Sequence, residues 1–261
     1  MNADARPTPD IDPAVPGEPP LLEARGLGLR AGPEVLLSGL DWTVRAGERW
    51  CVIGRNAAGK STLLRALAGL SVPRREGHVR WMGREQRLWA PADAAWVRAY
   101  APQQATDRFP ISVERLLALS VVREGPWTPA QVLEALDAAP LAQRGVRQLS
   151  GGERQRVALA QCALQGAPLL LMDEPVSFQD PAHQASVGRW LEALAPAGGP
   201  RALVATAHDV NWIARSATHV LALMGQGQWL AGRTAEVLQA PHLERVYGCR
   251  WREAGGVWIA D

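Results

Sequence analysis

Lysine is almost missing from this chain. Of the 28 basic residues in its 261, all but Lys60 are arginine. Charge of one sign is lacking as well. With 26 acidic residues the net charge is only +2, which describes a mixed, solvated surface and not an electrostatic footprint for nucleic acid. Cysteine is scarce. Cys51, Cys162 and Cys249 form an odd set without metal-ligand spacing, which excludes a disulfide framework or a zinc site and suits buried thiols in a reducing cytosol. Long apolar runs are absent too. None approaches the roughly 20 residues needed to cross a bilayer, and the start, MNADARPTPDIDPAVPGEPP, has neither the charged opening nor the apolar stretch of a signal peptide. The expectation is a cytosolic protein that meets a membrane only as a peripheral subunit. No internal repeat is found, and the 11 tryptophans are scattered, so they read as packing residues and not as a ligand surface.

What is present is an ordinary globular composition, 47% hydrophobic and 21% charged, long enough for one large domain or a domain with a subdomain. Residues 1–20 are proline-rich and acidic with little to bury, and are expected to form a disordered tail. Residues 34–37 and 40–45 alternate like half-buried strands, with a turn at 46–48. A short apolar run at 50–53 reads as a buried strand, and helical spacing follows over 61–70, ending near Gly69. The middle of the chain reads as helical at 113–121, 129–138 and 152–165. Strand-like runs follow at 169–172 and 202–206, with helical stretches at 183–194 and 210–215. This alternation predicts an α/β core with a parallel sheet and a helix-rich insertion.

Three segments carry chemistry. The first, Gly54-Arg55-Asn56-Ala57-Ala58-Gly59-Lys60-Ser61-Thr62, fits G-x-x-x-x-G-K-[ST] between a strand and a helix. Backbone N–H groups of such a loop cradle a β-phosphate at the helix N-terminus. Lys60 brings a compact ammonium to the β- and γ-phosphates, where the wide planar fork of arginine would not pack. Ser61 offers a hydroxyl to Mg²⁺. In the second segment, Leu169-Leu-Leu-Met-Asp173-Glu174-Pro175, an apolar strand delivers two carboxylates to its carboxyl end, where open α/β sheets place ligands. Asp173 is expected to hold Mg²⁺ through water, and Glu174 to polarise the attacking water. Adjacent carboxylates after a strand also suit a plain helix cap, a reading that the phosphate loop displaces. The third segment is Leu149-Ser150-Gly151-Gly152-Glu153-Arg154-Gln155-Arg156. It pairs a helix cap with two glycines that expose backbone N–H groups. A second anion site in one chain suggests a nucleotide gripped from both sides by two chains packed head to tail.

Together these segments resemble the ATP-binding subunit of ABC transporters, over about residues 21–248. The resemblance implies a P-loop NTPase with a RecA-like core, an antiparallel β-subdomain and an inserted helical subdomain at about 104–165, followed by a short extension at 249–261. It implies that Gln103, in Tyr100-Ala-Pro-Gln, touches Mg²⁺ and faces a membrane partner. It makes Asp180 the aspartate of the dimer loop, and His208, in Thr206-Ala-His-Asp, the switch residue that contacts the γ-phosphate. Three positions depart from the pattern. Ala57 stands where the family has glycine, Gln179 precedes Asp180 where leucine is usual, and Arg30-Ala31-Gly32 lacks the aromatic residue that stacks on adenine. Alanine at 57 costs about 1 kcal/mol if that position needs positive φ, and Arg30 is left to stack through its guanidinium plane. Residues 105–113 and 242–248 resemble the ATPases of importers for iron–siderophore, haem and cobalamin. The resemblance thus implies ATP and Mg²⁺ as ligands and a homodimer formed across ATP. It also implies integral permease subunits as partners, a periplasmic or extracellular substrate-binding protein acting indirectly, no nucleic acid, and a place on the cytoplasmic face of the cell membrane. The rivals are a soluble ABC-type ATPase acting on ribosomes or DNA, a regulator that hardly hydrolyses ATP, and an ABC ATPase of another transporter class. The first commonly carries two cassettes, a long coiled coil or zinc-binding insertions, none of which is found here. Glu174 and His208 argue against the second.

Overall fold

The computed structural model describes residues 19–104, 110–122, 125, 127–177 and 180–261. The expected tail up to residue 18, residues 105–109 of the stretch 105–113 that suggests the importer subgroup, and Gln179 lie outside the described residues.

β1 (Leu22–Ala31) and β2 (Glu34–Val44) form an antiparallel hairpin registered from Leu22↔Val44 to Ala31↔Glu34. After β3 (Arg49–Gly54) and α1 (Lys60–Leu67), the chain returns as β4 (Arg74–Trp81), antiparallel to β1, and β5 (Arg84–Glu85). The resulting four-stranded sheet has the order β2-β1-β4-β5. α2 (Pro91–Val97) then leads into β6 (Arg98–Ala101), and three helices follow: α3 (Val113–Ser120), α4 (Pro129–Ala135) and α5 (Gly151–Leu164). The core resumes with β7 (Leu169–Met172), α6 (Pro181–Leu194), β8 (Ala202–Thr206), α7 (Val210–Ser216), β9 (His219–Gly225) and β10 (Gln228–Arg233). α8 (Thr234–Val237), α9 (Ala240–Tyr247), β11 (Trp251–Ala254) and β12 (Val257–Ala260) complete it.

The six-stranded sheet has the order β10-β9-β3-β8-β7-β6, with every pair parallel except the β9–β10 edge. Strands buried on both faces need no polar alternation, so β3, β7 and β8 read as continuous apolar runs. Successive side chains of these strands enter two different cores. Cys51, Ile53, Leu170, Met172, Leu203 and Ala205 pack with α5 and the helix-rich side. Trp50, Val52, Leu169, Leu171, Ala202 and Val204 pack with α1 and the antiparallel sheet. The period of two in a pleated strand thus binds three layers around one sheet. Burial pushes the Cys162 thiol up to about 12, so it is an inert packing group at neutral pH.

The register of the parallel strands positions the site. Ala101 pairs with Met172, Met172 with Ala205, and Val52 with Thr206. The residues that follow β6, β7 and β8, and the loop after β3, therefore emerge together at one carboxyl edge.

Some boundaries differ from the sequence reading. α1 stops at Leu67, before the expected residue 70, and Gly69 adopts φ 76. α4 ends at Ala135 because Asp137 turns to φ 50. β4 escapes periodicity because only Val79 and Trp81 of its eight residues are buried. Residues 251–260 are an antiparallel hairpin. Asn211 of α7 holds it through Nδ2–H donating to the Trp258 carbonyl (3.0 Å) and Oδ1 accepting from the Trp258 N–H (2.7 Å).

Candidate nucleotide site

The loop after β3 is shaped for an anion. α1 begins at Gly59 with φ 97 and ψ 11, and a Cβ there would lie 3.0 Å from Leu36 Cβ. No side chain caps α1 and no acidic residue occupies its first turn, where Lys60, Ser61 and Thr62 stand. Its first N–H groups and the positive end of its dipole are thereby left to a ligand. Arg55, Asn56 and Ala57 are exposed and Ala58 half-buried, with the Ala58 N–H donating to the Arg55 carbonyl at 3.1 Å. Lys60 is only 6% exposed, and its ammonium donates to the carbonyls of Gly54 (2.9 Å) and Arg55 (3.1 Å). Burial lowers its pKa, and the carboxylates of Glu174 and Asp173 partly restore it.

Ala57 has φ 63, so the position is one that favours glycine. Ala57→Gly relieves a left-handed strain of about 1–2 kcal/mol, less about 0.4–1 kcal/mol for the freer unfolded chain. The expected outcome is a Tm higher by about 1–4 °C, read from a thermal melt.

The carboxylates stand across from this loop. Asp173 is buried, and its N–H donates to the Ala101 carbonyl at 2.8 Å, which continues the β6–β7 pairing past Met172. The Thr206 hydroxyl donates to Asp173 Oδ1 at 2.7 Å and accepts from the Glu174 N–H at 2.8 Å. Glu174 is the meeting point of three segments. Its Oε2 accepts from Gln103 Nε2 (2.8 Å) and the Ser177 hydroxyl (2.7 Å), while His208 Nε2 lies 2.7 Å from its Oε1. Burial pushes the Glu174 carboxyl up. The hydrogen bonds from Ser177 and His208, with the charges of His208 and Lys60, outweigh that and hold it below its ordinary value. Lys60, Asp173, Glu174, Gln103 and His208, read separately from the sequence, thus converge. Ser177 and Thr206 were not assigned any part there. Their signal is a hydroxyl three residues beyond Glu174, and one at the end of an apolar strand that ends two residues before His208.

The remaining sequence candidates are held by contacts of their own. Ser150 caps α5 in a reciprocal box with Glu153, whose Oε2 accepts from the Ser150 N–H at 2.7 Å and whose Oε1 pairs with Arg144 at 2.7 Å. A Cβ on Gly151 would meet nothing within 4 Å, so this helix start presents an open face. Gly152 follows it in the first turn of α5. Asp180 caps α6, accepting from the His183 N–H at 3.0 Å. Arg30 donates through Nη2 to the Pro33 carbonyl at 2.9 Å, beside a cleft of about 280 Å³ lined also by Gly28, Val35, Arg74 and Glu76.

A strand–loop–helix phosphate cradle, facing paired carboxylates at the carboxyl edge of a mostly parallel sheet, defines the class as a P-loop nucleotide-binding fold. Residues 37–177 match the ABC transporter family. The chain is 42% identical over 255 residues to the hemin import ATP-binding protein HmuV of Streptomyces coelicolor, covering 93% of this chain and 88% of that protein. It is 40% identical over 227 residues to the vitamin B12 import ATP-binding protein BtuD of Salmonella heidelberg, covering 83% and 88% respectively. An inward-facing ABC transporter assigned to the metal-chelate type shares the fold at a TM-score of 0.72 and 24% identity, covering 92% of this chain and 96% of that one. A bacterial Atm1-family ABC exporter with ATP bound does so at 0.74 and 24% identity, over 91% of this chain and 43% of that one. The chain belongs to the ABC transporter family, as an ATP-binding subunit with ATPase activity.

Proposed function

We propose that this ATPase drives import of a metal-chelate substrate, such as haem, an iron–siderophore or cobalamin, through a separate membrane permease. The hydrolytic half of this reading is carried by the convergence of Gln103, Ser177 and His208 on the Glu174 carboxylate. The import half is carried by similarity, across most of the chain, to the hemin and vitamin B12 import proteins.

In this reading the loop from Gly54 to Thr62 binds the phosphates, with Lys60 moving from the loop carbonyls to the β- and γ-oxygens. Glu174, ionised and anchored, orients and polarises the attacking water, and His208 contacts the γ-phosphate. Among the described residues, no group of three or more His, Cys, Asp or Glu could hold a metal unaided. Mg²⁺ takes one or two protein oxygens and completes its shell with phosphate oxygens and water. Ser61, Asp173 and Gln103 would hold it. When bound, it neutralises charge on the phosphates. The open start of α5 at Ser150–Gly152 serves a nucleotide held by a second copy, with Asp180 at the junction, so that two copies enclose ATP. Gln103 passes closure to the permease, and a substrate-binding protein on the far side delivers the cargo. No helix among the described residues is long and apolar enough to cross a membrane, and we place the subunit peripherally on the cytoplasmic face.

A pull-down from detergent-solubilised membranes tests this reading. The expected result is a co-purifying multi-span permease. Ribosomes or DNA in the eluate, without a permease, would overturn it.

A further inference from the structure

We propose that Thr206 is a positioning residue that sets the two site carboxylates relative to one another. β8 is buried along its whole length, and Thr206 is fully buried at its end, the one polar side chain in Ala-Leu-Val-Ala-Thr. A hydroxyl in such a place costs stability unless it is fully hydrogen-bonded. Here it is, and both partners belong to the site. The single O–H proton goes to Asp173 Oδ1 at 2.7 Å, and a lone pair receives the Glu174 N–H at 2.8 Å.

The second bond falls on a strained residue. Glu174 has φ 49, a left-handed conformation that costs a non-glycine residue free energy and persists only when its surroundings hold it. The Thr206 hydroxyl supplies part of that hold. The same strand end continues for two residues to His208, whose Nε2 meets Glu174 Oε1 at 2.7 Å. One segment therefore fixes Glu174 at its backbone and at its carboxylate. It also fixes the Asp173 oxygen beside it, so the β7–β8 register becomes the spacing between the proposed magnesium carboxylate and the proposed water-polarising carboxylate. Thr206 acts through these two groups, and the inference rests on the roles given to them above.

The test compares Thr206→Val, which keeps the shape and removes the hydroxyl, with Thr206→Ser, which keeps the hydroxyl. Steady-state ATPase activity is measured against Mg²⁺ concentration, and binding of a fluorescent ATP analogue is measured with and without Mg²⁺. Thr206→Val is expected to lower kcat about tenfold or more, as for a lost hydrogen bond to a charged group. It should bind the analogue normally without Mg²⁺, yet need more Mg²⁺ for the metal-dependent gain in binding. Thr206→Ser should restore both properties to within about fivefold, the margin of a buried methyl. Native kcat and native Mg²⁺ dependence in Thr206→Val would overturn the proposal. So would loss of metal-free binding, which marks a merely structural residue, or failure of Thr206→Ser to rescue. The parent reading has its own check, because normal hydrolysis by Glu174→Gln would reject the role of Glu174 whatever Thr206 does.

Discussion

Lys60→Ala is expected to lose ATP binding, with affinity falling about a hundredfold or more and hydrolysis undetectable. The ammonium already lies within reach of two loop carbonyls, buried where the N-terminus of α1 opens. Each charge-assisted hydrogen bond to phosphate carries about 1.5–3 kcal/mol, so removing a cation that makes two or more is a loss of orders of magnitude. Folding should survive. Alanine is a good helix former at the start of α1, and deletion removes a desolvated charge from the apo protein. Lys60→Arg is the sharper variant. This chain uses arginine everywhere else, so arginine rescue would mean that only charge matters at this point. The expected outcome is that arginine also fails, because its wide planar fork does not replace a compact ammonium held between the Gly54 and Arg55 carbonyls. Titration with a fluorescent ATP analogue checks both variants. Native affinity in Lys60→Ala would reject the phosphate-loop assignment.

Glu174→Gln is expected to bind ATP normally and turn over at a few per cent of the native rate or less, since a positioned general base contributes about 10²–10⁴-fold. The substitution is conservative in shape. The amide oxygen still accepts from Ser177 and Gln103, and the amide nitrogen faces His208. What disappears is the charge. Because the native carboxyl is held below its ordinary pKa, it stays ionised to a lower pH than an ordinary carboxyl would. The acid limb of kcat that belongs to Glu174 is therefore displaced toward lower pH than for an ordinary carboxylate, and it vanishes in the variant. Single-turnover and binding measurements on one preparation separate the two effects.

The candidate site was legible in the sequence where it lies in contiguous segments. Spacing alone placed Lys60, Asp173 and Glu174, and the structure brings them to one edge. The parallel strands were legible because burial on both faces leaves nothing but apolar residues at 50–53, 169–172 and 202–206. β4 was not, because its exposed arginines, glutamate and histidine hide a strand that buries two side chains. β6 was not, because four residues are too few to show a period. Thr206 and Ser177 were not, because their roles depend on the β7–β8 register and on the turn after Glu174. A hydroxyl three residues past Glu174, or at the end of an apolar strand, marks the place but not the partner.

The burial of the only lysine has a practical corollary. Acylating reagents that seek primary amines have a single side-chain target in this polypeptide, 6% exposed in the loop proposed to bind the triphosphate. If the proposed site holds, a label recovered there is expected to report empty sites and a bound triphosphate to shield them. The composition that looked like a deficit would then serve as a covalent gauge of loading.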